Sequence, residues 1–162
     1  MLRRLPHLLT AAALGATLLS APASALPADR AAYLGPQGYG ALKLGMSLKA
    51  ARKAGLVTKL TKAQGPSCGS FTMKKTKASV YYEKKRGVTA IFAAKSTRTP
   101  RGIKIGDRLK KVKKAYPGLK AGPNTHYVRV PGNRKADYIF LFDSADRLYE
   151  LTLALRPVRC FG

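Results

Sequence analysis

Beyond its first 25 residues the chain is poor in the groups that make catalytic sites. Two cysteines, two histidines and seven acidic residues occur in 162. Only one of the histidines, His126, lies past the N-terminal segment. A single imidazole cannot assemble a zinc site unaided. The seven acids are Asp29, Glu83, Asp107, Asp137, Asp143, Asp146 and Glu150, and most fall at expected helix caps or turns, where they have structural work. No serine stands in a nucleophile-elbow context. No phosphate-binding glycine loop leads into Lys-Ser/Thr. These absences predict a protein that is not an enzyme and that carries no catalytic residue, metal or cofactor.

Long apolar runs are also scarce. The one candidate, Leu8–Leu19, is preceded by Arg3 and Arg4 and followed by Ala23-Ser24-Ala25. A positive start, a short apolar stretch and a small-x-small site describe a secretory signal peptide. Residues 1–25 are therefore expected to be removed, leaving a mature chain that begins at Leu26. The run falls short of the roughly 20 residues of a spanning helix. The mature chain is expected to have no membrane span and to be secreted, either extracellular or associated with the cell wall.

What the chain has in excess is positive charge: 31 lysines and arginines, and a net charge of +24. Loss of Arg3 and Arg4 with the signal lowers this by two. A field of that sign attracts polyanions such as wall polymers, anionic lipid or nucleic acid. The same lysines also serve solubility. No zinc-ligand spacing and no aromatic-basic RNA motif is present, so no specific nucleic-acid module is expected.

The two cysteines are Cys68 and Cys160. In an oxidising compartment an even number predicts a bridge. Closing a loop of about 90 residues stabilises by roughly 4 kcal/mol in the chain-entropy model.

One segment is written twice. Leu42-Lys43-Leu44-Gly45-Met46-Ser47-Leu48-Lys49-Ala50-Ala51 returns as Ile103-Lys104-Ile105-Gly106-Asp107-Arg108-Leu109-Lys110-Lys111-Val112. In each copy a short extended piece meets a glycine turn and then a helix. Ser47 and Asp107 are the expected caps, Gly55 and Pro117-Gly118 the expected stops. Three strands are predicted after each helix: 68–73, 78–83 and 88–94, then 126–130, 136–142 and 148–155. The fold class expected is α+β. It is a tandem repeat of two units, each a short helix followed by a three-stranded antiparallel sheet, with both helices on one face. The divisions are 26–39 as a flexible arm, 40–98 as the first unit and 99–162 as the second.

The motif Leu44-Gly45-Met46-Ser47, with a helix and three strands after it, resembles the β-lactamase inhibitory protein fold, itself a tandem of helix-plus-sheet repeats. A single unit is similar to the SmpA/OmlA outer-membrane assembly lipoproteins, which open a helix with a similar turn. The likeness covers roughly residues 37–162. The chain lacks the lipoproteins' lipid-bearing cysteine, and its two cysteines span both units instead of bridging each one.

Two candidate surfaces follow. Strand Tyr138-Ile139-Phe140-Leu141-Phe142 is apolar on both sides, so one side must face away from the helices. Tyr138, Phe140 and Phe142 are the candidate contacts for another exported protein, in an inhibitor-like role. Ile139 and Leu141 are the alternative outward pair. The second surface is basic: Lys104, Arg108, Lys110, Lys111, Lys113 and Lys114 cluster around the second helix and suit an anionic envelope polymer or extracellular nucleic acid.

Overall fold

The computed structural model describes residues 33–62 and 68–160. The expected signal segment and residues 26–32 of the expected arm lie outside them.

The architecture is mostly β and differs from two three-stranded units. Three two-residue strands, β1 (Leu34–Gly35), β2 (Gly38–Tyr39) and β3 (Leu42–Lys43), form a small sheet in sequence order. Helix α1 (Leu48–Lys53) comes next, followed by β4 (Val57–Thr61), β5 (Gly69–Met73), β6 (Ser79–Glu83) and β7 (Gly87–Phe92). Helix α2 (Leu109–Ala115) is followed by β8 (Lys120–Ala121), β9 (His126–Val130), β10 (Asn133–Phe142) and β11 (Leu148–Leu155). The last eight strands build one antiparallel sheet in the order β4-β5-β6-β7-β11-β10-β9-β8.

Three corrections follow. A fourth strand comes after each helix, and the two sets fuse where β7 pairs with β11 through Ala90, Ile91 and Phe92. The stretch 34–39, expected as loose arm, is folded into the small sheet. Gly35, Pro36 and Gly38 break long strands but leave room for tight two-residue ones. Residues 57–61, where the sequence predicts neither helix nor strand, form an edge strand, whose β-branched Val57, Thr58 and Thr61 suit a pleated surface.

Cross-strand register explains the core. Residues opposite each other share a face. One row runs Val128, Tyr138, Leu153, Ile91, Val80, Phe71 across six strands. Five of these are buried, and they cluster with Ala51 of α1 and Val112 of α2, so both helices cover this face. The adjacent row points the other way: Arg129, Asp137, Ala154, Ala90, Tyr81, Ser70.

The opening turns of the helices dock onto the sheet in the same way. Gly45 donates its N–H to Val88 and Met46 accepts from Val88 (2.8 and 2.9 Å). Gly106 donates to Leu148 and Asp107 accepts from Leu148 (2.7 and 2.9 Å). Gly45 and Gly106 sit at φ of 79° and 93°, a region where a side chain is strained.

Candidate functional site

The aromatic strand is placed by α2. Tyr116, which ends that helix, lays its ring 5.8 Å from Tyr138 and 5.7 Å from Phe140. Tyr138 and Phe140 are 1% and 0% exposed. They are core residues and present nothing to a partner; only Phe142 of the three keeps partial exposure. The reason is the register: Tyr138 opposes Leu153 and Phe140 opposes Leu151, so both fall on the helix-covered face. The Tyr138 hydroxyl donates to the Leu34 carbonyl at 2.6 Å, joining the large sheet to the small one. Burial, and then the neighbouring Tyr116, push its ionisation far above the usual tyrosine value.

The outward residues of β10 are Asp137, Ile139 and Leu141. Ile139 is flanked by Tyr127 on β9 and Thr152 on β11. Asp137 is held by two arginines, Arg129 at 2.8 Å and Arg156 at 3.3 Å. Tyr127 and Tyr149 are the more exposed aromatics, at 38% and 54%. Burial also raises the Glu150 carboxyl above its ordinary range.

The basic candidates all reach solvent. Val112 and Tyr116 turn inward, which leaves Lys110, Lys111, Lys113 and Lys114 on the outside of α2, with Lys104 and Arg108 exposed at its approach. Lys111 pairs with Asp107 at 2.8 Å. Asp107 also accepts from the Lys104 N–H, so it braces the turn. The helix cap is Arg108, without a side-chain capping bond, and no acid sits in the first turn. This corrects the expectation that Asp107 caps α2. The structure adds Arg147, whose backbone bridges that of Arg108. The sequence carried no signal for it, because that pairing joins turns far apart in the chain.

Cys68 and Cys160 form a disulfide, with Cα atoms 5.5 Å apart. Arg86 holds the segment leading to it: its guanidinium binds Glu83 (2.7 Å) and the carbonyls of Arg156 (2.9 Å) and Pro157 (3.1 Å). Cys68, Glu83 and Cys160 bring three ligand-type atoms within 4.8 Å of one another, but both sulfurs are committed to the disulfide. Among the described residues no helix is long and apolar enough to cross a membrane.

No protein family and no curated protein matches the sequence. Among solved structures, the fold is similar to an extracellular protein containing a SCP domain from Bacillus anthracis str. Ames. The identity is 15% and the TM-score 0.50, over 70% of this chain and 44% of that one. The chain thus spans less than half of that protein's length, and the likeness is one of fold.

Proposed function

We propose that the chain is an exported, non-catalytic binding protein that holds an anionic polymer of the cell envelope. The supporting observation is a mismatch of charge. Among the described residues the ion pairs engage four cations, Arg86, Lys111, Arg129 and Arg156. With 31 lysines and arginines against seven acids, most of the positive charge has no acidic partner within the chain, even after Arg3 and Arg4 are lost, and is balanced from outside. Along the sequence that surplus is most concentrated on α2, where Lys110, Lys111, Lys113 and Lys114 fall within five residues. A protein partner bound through Tyr138 and Phe140 has lost its contacts to the core. The secretory reading of residues 1–25 and the Cys68–Cys160 bond support export to an oxidising compartment.

The test is retention on an immobilised anionic polymer. Retention is expected to fall steeply between about 50 and about 500 mM salt as counter-ions compete. Replacing Lys110, Lys113 and Lys114 with glutamine should weaken it and flatten the salt dependence. Absence of binding to any anionic polymer at low salt would overturn the reading.

A further inference from the structure

Beside the small sheet lies a cavity of about 650 Å³, inside the range of about 300–1,000 Å³ common for small-molecule sites. Its walls come from Tyr33, Pro36, Gln37, Lys43 and Pro100, with backbone of Gly35, Gly38 and Gly40 between them. Pro100 belongs to the connector before α2, so the cavity sits at the seam where the Leu34 N–H meets the Arg98 carbonyl (2.9 Å).

The chemistry of this wall is mixed in a specific way. Tyr33 and the two prolines offer flat apolar surface. Gly35 and Gly38 are ladder partners in the small sheet and the Gly40 carbonyl is taken by Lys43, so the polar character of the wall comes from side chains. Gln37 is exposed and brings an amide with both donors and an acceptor. Lys43 is exposed, and its ammonium donates to the Gly40 carbonyl at 2.7 Å. That bond fixes the charge at the rim and leaves two of its three N–H donors free.

A ligand that suits all of these at once has an apolar ring face, several hydroxyls and one negative charge. We infer that the cavity binds a single acidic sugar residue, a uronate-type carboxylated pyranose, within an anionic glycan. Its C–H face packs on Tyr33 and the prolines, its hydroxyls meet the Gln37 amide and the Tyr33 hydroxyl, and its carboxylate pairs with Lys43. The inference rests on the polyanion reading and adds to it a locus with chemical selectivity.

The experiment measures binding of the purified full chain to polygalacturonate, polyphosphate and neutral dextran by calorimetry. Lys43→Met should weaken polygalacturonate binding about tenfold. Lys85→Met removes the same charge from an exposed turn and should change it less than about twofold. Both variants should bind polyphosphate alike. Tyr33→Ala should reproduce the Lys43→Met loss, with thermal melting confirming that each variant is folded. Equal effects of Lys43→Met and Lys85→Met on polygalacturonate would overturn the inference. So would tight polyphosphate binding with no polygalacturonate binding, which leaves the general polyanion reading standing. Failure to bind either polymer at low salt removes both.

Discussion

The two halves of the large sheet are built on similar backbones and held by different means. Each begins with a glycine turn bonded twice to a later strand, and each continues through a short helix into four strands. In the first half Ser47 caps α1 by accepting from the Ala50 N–H at 3.1 Å. In the second, Arg108 has nearly the same backbone (φ −81°, ψ 150° against −66°, 151°) but makes no side-chain cap. The second half compensates with aromatic packing, as Tyr116, Tyr138 and Phe140 stack beneath α2. The first half has smaller side chains at its helix, with Ala51 buried, and is tethered at β5 by the disulfide. Backbone docking therefore sets where a helix starts, while caps, rings and cross-links are interchangeable ways of keeping it there.

The largest expected effects, of similar size, are at the tether and in the core beneath α2. Replacing Cys68 and Cys160 with serine should lower stability by about 4 kcal/mol, since the bond closes a long loop. Urea denaturation with and without reductant measures it. Phe140→Ala, which empties the core beneath α2, should cost about 3–5 kcal/mol. If the halves are as differently secured as described, hydrogen exchange should show the disulfide variant loosening β5 and the Phe140 variant loosening α2. Tyr138→Phe should cost about 1–2 kcal/mol by orphaning the buried Leu34 carbonyl, with early exchange in the small sheet.

The capping contrast gives a smaller pair. Ser47→Ala should cost about 1 kcal/mol, and Arg108→Ser should recover a similar amount, because the backbone at Arg108 is already in capping geometry. A loss on Arg108→Ser in thermal melting would mean that the arginine has a stabilising role of its own. The smallest effect concerns Glu150. Its carboxyl is raised by burial, so in the folded state its ionised form is disfavoured relative to the unfolded chain. Glu150→Gln should therefore raise the melting temperature slightly near neutral pH. The gain should vanish as pH falls below the ordinary carboxylate range, where both states are protonated.

Many individual elements were legible in local pattern, although the fold class was not. Ser47 before Leu48 and Ala51 announced α1, and the alternation Leu151, Leu153 against Glu150, Thr152 announced β11. The strand at 57–61 was obscured by the breakers that follow it, although Val57-Thr58 itself favours extended backbone. The fusion of both sets into one sheet was not legible, because the choice of β7 as partner for β11 depends on contacts distant in sequence. The facing of β10 was ambiguous for the same reason. Both of its sides are apolar, so only the register with β11 decides that Phe140 goes inward. The basic surface around α2 could be read directly, since lysines flanking a single buried Val112 have nowhere else to point. The cavity beside Tyr33 could not, as it is made by a seam between residues 33–43 and Pro100.

The strand order also has a consequence for how the molecule is made. β11 is synthesised after every other strand of the large sheet, yet it lies in the middle, between β7 and β10. Until it emerges, β4–β7 and β8–β10 have no shared partner. As the chain is made, β4–β7 and β8–β10 therefore emerge as separate sets whose β7 and β10 edges stay open, and the sheet can close only when β11 arrives. Cys160 follows β11 in the chain, so the bond to Cys68 cannot form before every strand of the large sheet has been made.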